Sequence, residues 1–291
     1  MRIAQAFASD DGITTKYVLE AGDALVECTH VDRAEKHIVC FSTAVGCPIR
    51  CGFCAATSFR RRLSADEMVA QVLAVVARAI PAGGGKQVLF SAMGEGEPLL
   101  SQAAAEALVD AFRRLIPSQP GGRAAVSTTA IKPDVVRWIA GAAPQGMKLQ
   151  VSLHAPTDEQ RRKIIPHAAP LSDVIEAGRT FADARPGMLE WNYVLIQDLN
   201  DSDADAHRLA ELLRPGESVK LNRLNPVPGV PWQPSRRGQG FAQILRDAGL
   251  SPEHYCTNGV DVAAACGQLK SQVARARATR APGERRLVVL T

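Results

Sequence analysis

No run of apolar residues in this 291-residue chain is long enough to cross a bilayer; the best, Met68 to Ile80, is broken by Gln71 and Arg78. The opening MRIAQAFASDDG has no signal-peptide core. A dominant charge is missing too: 34 Lys and Arg face 30 Asp and Glu, a formal net charge of +4. That balance permits a nucleic-acid partner without demanding one. There is no internal repeat, low-complexity segment or obvious domain linker. With 46% hydrophobic and 22% charged residues the composition is that of a soluble enzyme. The length suits one large domain or two ordinary ones with a sizeable core. Seven cysteines, an odd number without secretion features, point to a reducing cytoplasm.

Three of those cysteines stand together in Cys47-Pro48-Ile49-Arg50-Cys51-Gly52-Phe53-Cys54, at C-x3-C-x2-C spacing. A structural zinc site takes four ligands, usually as two C-x2-C pairs, and no fourth Cys or His follows closely. An iron–sulfur cluster with one iron left free fits better, because thiolates are the usual cluster ligands. A free iron is a coordination site for substrate. The bland alternative is three buried thiols, or a disulfide and a spare; three cysteines so close together cannot all face a core.

The elements around this loop follow a pattern. Residues 1–38 read as short β segments, with strands at Thr14–Leu19 and Ala24–Thr29 joined by a turn at Glu20-Ala21-Gly22-Asp23. A strict alternation then begins. Strand Ile38–Val45 leads into the cysteine loop, and helix Ser64–Ile80 follows with a Ser64/Glu67 capping box. Five further pairs are expected: Gln87–Met93 with Gln102–Ile116, Ala124–Thr129 with Pro133–Ala142, Lys148–Leu153 with Asp173–Ala184, Glu190–Ile196 with Asp203–Leu213, and Ser218–Leu224 with Gly240–Ala248. Six β-α units predict an α/β fold with a parallel sheet and outer helices, too few for a closed eight-stranded barrel. A partial (β/α)6 barrel matches. In such sheets reactive groups gather at the carboxyl ends of the strands, where the cysteine loop lies. The expected divisions are a β extension over 1–37, a core over 38–250 and a C-terminal segment over 251–291 that returns to the site.

Other strand ends are polar. Met93-Gly94-Glu95-Gly96-Glu97-Pro98 ends the second, and its glycines let a ligand approach the backbone. Glu97 is placed to accept a hydrogen bond from an ammonium. Ser127-Thr128-Thr129, Ser152-Leu153-His154-Ala155-Pro156 and Asn225-Pro226 end the third, fourth and sixth. Each alone reads as ordinary turn chemistry; together, on the rim that carries the cysteine loop, they read as a site. Gly83-Gly84-Gly85-Lys86 is not a phosphate loop, since it precedes a strand and Gln87 stands where Ser or Thr belongs.

These runs, with Val45-Gly46, Asn200-Asp201-Ser202 and Ala264-Ala265-Cys266-Gly267-Gln268-Leu269, resemble the radical S-adenosylmethionine (SAM) adenine C-2 and C-8 methyltransferases of RNA, the RlmN/Cfr family, from about Asp11 to near Gln272. The resemblance implies a radical-SAM barrel, a [4Fe-4S] cluster on Cys47, Cys51 and Cys54, and SAM chelated to the open iron. Matching positions imply SAM contacts from Gly96, Glu97, Ser127, Ser152, Leu153, His154 and Asn225, with Phe53 against the adenine. The C-2 carbon has no lone pair and a poorly acidic proton, so direct displacement on a sulfonium does not serve. The family first methylates a cysteine, here Cys266. The adenosyl radical takes a hydrogen from that S-methyl, and the carbon radical adds to the ring. Glu27 matches the proton acceptor. Cys40 matches the resolving cysteine, which forms a transient disulfide with Cys266. Without the resemblance, Cys40 reads as core and Glu27 as solvated. Cys28 and Cys256 match no role.

The departures concern substrate. Only 26 residues precede Glu27, so the small helical RNA-gripping domain of the family is not expected here. Tyr255-Cys256-Thr257-Asn258 replaces a loop that is usually basic, and Ala130 stands where the family tends to have Gly. Phe59-Arg60-Arg61-Arg62 and the tail Lys270–Arg286 are basic enough to contact phosphate; the tail reads equally as a solvated helix face. Three functions follow. The first is a cytoplasmic RNA methyltransferase fed electrons by a flavodoxin or ferredoxin, with no membrane partner. The second is the same mechanism on a small aromatic metabolite or peptide. The third is a non-catalytic cluster protein.

Overall fold

The structure, a computed structural model, describes residues 1–82, 85–255 and 258–268. The basic tail, Leu269 and Cys256 lie outside the described residues. The chain opens with β1 (Ile3–Ala8), β2 (Thr14–Ala21) and β3 (Ala24–Asp32), paired antiparallel in sequence order. β4 (Lys36–Cys40) pairs antiparallel with β3. β5 (Ala44–Val45) and β6 (Arg61–Arg62) form a separate short hairpin that brackets the cysteine loop. Then come α1 (Ala65–Ala79), β7 (Gln87–Ala92), α2 (Gln102–Leu115), β8 (Arg123–Thr128), α3 (Pro133–Ala142), β9 (Met147–Ser152), α4 (Asp158–Ile164), α5 (Leu171–Ala184), β10 (Leu189–Leu195), α6 (Asp203–Leu212), β11 (Ser218–Arg223), α7 (Gly238–Asp247) and β12 (Ser251–Tyr255).

One ten-stranded sheet runs β1-β2-β3-β4-β7-β8-β9-β10-β11-β12, parallel from β4 onward. Its outer strands do not meet, so the barrel is open, as the count of β-α units predicts. Buried Val72, Phe90, Phe112, Val126, Ile139, Val151, Phe181 and Trp191 belong to one core between sheet and helices. In α1 the buried residues Met68, Val69, Val72, Val75 and Val76 recur at helical spacing, and the Ser64/Glu67 capping box starts the helix.

Three differences from the sequence reading have physical causes. The strand expected over Ile38–Val45 stops at Cys40, because α1 takes over the pairing. Gln71, fully buried, accepts from Ser42 N at 3.1 Å and donates to Ser42 O at 2.7 Å. The chain after Ser251 begins with a seventh parallel strand, β12. The run between β9 and α5 holds a two-turn helix, α4, capped by Thr157, whose hydroxyl accepts from Gln160 N at 3.3 Å.

The loop after β7 crosses close to the chain that follows β4. A Cβ on Gly94 would lie 2.7 Å from Phe41 O, and one on Gly96 2.5 Å from Thr43 Oγ1. Gly96 also has φ +109°, a conformation closed to most L-residues. The glycines read from the sequence as room for a ligand thus also serve a backbone crossing within the protein.

Candidate active site

The cysteine loop hangs between β5 and β6 and is pinned at three points. Cys54 N donates to Cys51 O at 3.0 Å, closing a turn; Gly52 N donates to Ile164 O at the end of α4 at 2.9 Å; Ala55 N donates to Gly267 O at 2.6 Å. Ile49 packs with Ile164, Ile165 and Leu224 in a small apolar cluster that Cys47, Cys51 and Phe53 flank. The three thiols line one cavity of about 210 Å³ at the carboxyl ends of the parallel strands. Burial pushes Cys47 up to about 12 and Cys54 to about 11, and raises Cys51 as well. Among the described residues no three His, Cys, Asp or Glu side chains converge on a single-ion point. Three thiols sharing one cavity suit a multi-iron cluster, in which each thiolate takes its own iron.

Glu97 lines the same cavity, and its carboxylate is held by four donors. Oε1 accepts from Thr128 Oγ1 at 2.5 Å and Leu99 N at 3.1 Å; Oε2 accepts from Thr129 N at 2.8 Å and Thr129 Oγ1 at 2.7 Å. A carboxylate offers about four acceptor positions, so an ammonium arriving here meets a pre-aimed charge and exchanges with a rotatable hydroxyl.

Ser127 and Ser152 stand side by side on β8 and β9 with their hydroxyls 3.5 Å apart, and Asn192 Nδ2 donates to Ser127 Oγ at 3.3 Å. Leu153 is different. Its side chain is in the core, its N–H donates to Asn192 O at 2.9 Å and its carbonyl accepts from Arg161 Nε at 3.1 Å. Any contact from Leu153 to a ligand is therefore through the main chain. His154, at φ +59°, faces Phe53 edge-on with ring centroids 5.2 Å apart. Val194 N donates to its Nδ1 at 3.1 Å, which puts the ring proton on Nε2. Burial, helped by the nearby Arg161 charge, lowers the ring to about 3, so the imidazole is neutral.

Cys266 opens into the same cavity from the segment 258–268. That segment is tied down at many points. Ser9 Oγ and Asp10 N donate to the Asp261 carboxylate at 2.6 and 2.9 Å, and Gly259 N donates to Asp11 Oδ2 at 3.1 Å. On the other side Asn225 Nδ2 donates to Cys266 O at 3.1 Å and Gln268 Nε2 to Pro226 O at 2.7 Å. Asn225, expected to touch the cofactor, thus also supports the cysteine.

Glu27 and Cys40 lie beneath this segment, outside the cavity lining. Cys40 pairs directly with Thr29 across β3 and β4, and Glu27 is two residues from Thr29 along β3, so all three share one sheet face. Thr29 Oγ1 lies 3.5 Å from Ala264 O, two residues before Cys266. Glu27 is buried, with Lys16 Nζ 3.8 Å from its Oε1. Burial, and then the charge of Cys266, drive the Cys40 thiol well above its ordinary value. Burial also raises Cys266, and Lys220 offsets part of that. Cys28 is fully buried on the opposite, core-facing side of β3.

Sequence reasoning missed four residues here. Arg161, fully buried on α4, donates to the carbonyls of Thr129, Ser152, Leu153 and Ala169, and so ties the ends of β8 and β9 together. Gln150 donates to Glu190 Oε2 at 2.6 Å and accepts from Asn192 Nδ2 at 3.2 Å, making a polar floor inside the barrel. Lys220 Nζ lies 3.9 Å over the Tyr255 ring. The only signal for Gln150, Asn192 and Lys220 was a polar residue inside a strand otherwise apolar; for Arg161 there was none. Of the basic run, Arg60 is bound to Asp23 and Arg61 to Glu67.

No helix among the described residues is long and apolar enough to cross a membrane. The family model for the radical SAM superfamily matches residues 41–210. A dual-specificity RNA methyltransferase RlmN from Jannaschia sp. is 35% identical, with 94% of this chain and 73% of that protein covered. A ribosomal RNA large subunit methyltransferase N from Nitrosopumilus maritimus is 32% identical, covering 91% and 79%. Among solved structures, a radical SAM methyltransferase from Sphaerobacter thermophilus superposes with a TM-score of 0.83 at 36% identity, covering 92% of this chain and 80% of that one. The open parallel barrel, the three-cysteine loop and these relatives agree: the chain belongs to the radical SAM superfamily, whose cofactors are a [4Fe-4S] cluster and SAM, and within it to the RlmN family.

Proposed function

We propose that this protein is a radical SAM methyltransferase that methylates an adenine ring carbon, C-2 or C-8, of ribosomal or transfer RNA through an S-methylated Cys266. The observation that carries the reading is a single cavity lined by Cys266 together with Cys47, Cys51 and Cys54. When bound, the cluster supplies the electron that splits SAM, and SAM supplies both the methyl group and the hydrogen-abstracting radical.

The protein's own groups have distinct tasks in this reading. Cys47, Cys51 and Cys54 hold the cluster. Glu97, fixed by Thr128 and Thr129, orients the methionine ammonium electrostatically. Gly96, Ser127, Ser152, His154 and Asn225 line the rest of the cavity with Leu153 held behind them, and neutral His154 offers its Nε2 proton as a hydrogen-bond donor. Cys266 accepts the methyl and then presents its carbon to the ring. Glu27 takes the ring proton. Cys40 attacks the Cys266 sulfur and releases the product as a transient disulfide forms. Residues 1–37 and 251–291 flank the 38–250 core and act together, one as floor and the other as bearer of the acceptor cysteine. A cytoplasmic flavodoxin or ferredoxin supplies electrons.

The test is an anaerobic assay of reconstituted protein with methyl-deuterated SAM, a reductant and RNA from a host lacking the gene, followed by mass spectrometry of the nucleosides. Deuterated methyladenosine that disappears in Cys266→Ala is the expected result. Label on Cys266 with none in RNA would sink the RNA assignment and move the search to small aromatic molecules or peptides.

A further inference from the structure

Beside the reaction cavity lies a second, larger recess of about 580 Å³, at the carboxyl ends of β10, β11 and β12 and against the loop before α7. The two recesses share Asn222, Arg223 and Tyr255, so they are immediate neighbours. The charges on the larger one are of a single sign. Arg223 and Arg236 line it and are exposed, and no acidic residue among the described residues lines it. Neither arginine makes a side-chain hydrogen bond or ion pair with any described residue. Their neighbour Arg237 is bound to Asp203, and Arg60 and Arg61 have acidic partners. Among the described residues that line this groove, the two arginines are thus cations without an acidic partner.

Tyr255 supplies the second element. Its ring lines both recesses, with Lys220 3.9 Å from the ring centroid. An aromatic side chain beside an arginine at the end of β11 and another on the loop before α7 is what single-stranded nucleic acid needs: a base stacks on the ring while phosphates meet the guanidinium groups. The reaction cavity, about 210 Å³, is the smaller of the two, and a small substrate lodged there would leave the groove without a use.

We propose that this groove binds the RNA strand next to the reacting base, with Tyr255 as the stacking surface and Arg223 and Arg236 as phosphate contacts. The proposal rests on the RNA reading above. It gives the protein an RNA grip built into the barrel rim itself.

The experiment uses the full-length, cluster-loaded protein and a short fluorescent single-stranded oligoribonucleotide. Anisotropy at several salt concentrations is compared for the parent, Arg236→Glu, Arg223→Glu and Arg236→Lys. S-methylation of Cys266, which needs no RNA, serves as the folding control for the Arg236 variants. The expected result is a roughly tenfold loss of affinity for each charge reversal, with a salt slope shallower by about 0.7 per phosphate contact removed. For Arg236→Glu, KM for RNA rises with Cys266 methylation unchanged, and Arg236→Lys keeps most of the binding. RNA methylation and binding at parental levels in both reversals would overturn the groove and leave the RNA reading intact. A parent that methylates Cys266 but neither binds the oligonucleotide nor labels RNA would overturn both.

Discussion

Ser9 and Asp261 are 252 residues apart in the chain, yet the Ser9 hydroxyl donates to Asp261 Oδ1 at 2.6 Å. With Asp10 N on the same carboxylate and Gly259 N on Asp11, the turn between β1 and β2 clasps the segment that carries Cys266. The placement of Cys266 therefore depends on residues that do not line the cavity.

Asp261→Ala removes the acceptor for two of these bonds. Losing them weakens docking of the segment by about 1–2 kcal/mol, a factor of about 5 to 30 in its docked-to-undocked ratio. SAM cleavage to 5′-deoxyadenosine continues, while methyl transferred per SAM cleaved drops. Quantifying both products in one reaction checks this; an unchanged ratio would contradict it.

Glu97→Gln keeps the shape but turns an amide NH2 toward one of two donor pairs, Thr128 Oγ1 with Leu99 N or Thr129 N with its hydroxyl. The mismatch costs about 1–3 kcal/mol. SAM affinity measured by equilibrium dialysis falls at least about tenfold, with Cys47, Cys51 and Cys54 untouched and iron content near normal.

Arg161→Leu strands four main-chain carbonyls at the ends of β8, β9 and the stretch before α5. A loss of about 3 kcal/mol or more follows, seen as a lower Tm and poor cluster retention. Arg161→Lys keeps the charge without the planar fork and falls between the two. A leucine variant as stable as the parent would refute the account.

His30 and His37 are buried with their ring nitrogens 3.1 Å apart. Burial first, and then the charge of His37, lower His30 to about 4, against 6.5 for a free ring. The unfolded chain therefore takes up a proton that the folded chain refuses. The stability from neutral His30 is present above about pH 6.5 and is lost at about 1.4 kcal/mol per pH unit as pH falls toward 4. His154 acts in the same direction. Urea denaturation at pH 7, 6 and 5 should show a shallower decline in His30→Phe than in the parent.

Ala130 sits at φ +51°, where an L-residue costs about 1–2 kcal/mol. Glycine there relieves that cost and returns roughly half of it as chain entropy. Ala130 is also buried in the core, so losing its methyl costs about 0.8 kcal/mol, and Ala130→Gly is expected to leave stability, read from the denaturant midpoint, within about 0.5 kcal/mol of the parent.

The order of strands and helices was legible because apolar spacing in α1 and in the central strands is periodic, and Ser64/Glu67 marks a start. The break after Cys40 was not, since it depends on one glutamine reaching across from α1. The site's rim was legible where polar residues end apolar strands, as at Ser127 and Ser152. Arg161 was hidden because nothing in a charged helix such as Asp158–Ile164 tells which charge turns inward. The clasp at Asp261 joins the two ends of the chain, a relationship local patterns do not carry.

The sheet is laid down in chain order, with each main-sheet strand beside its predecessor and only the β5/β6 hairpin set apart. A ribosome making this protein thus releases the walls one after another, and each has its neighbour waiting. The residues around Cys266 emerge after every wall and must swing back to the first hairpin to dock. A nascent or truncated chain that ends before this segment has the cysteine loop but not Cys266, so under the proposed mechanism synthesis itself delays methyl transfer until the segment has been made.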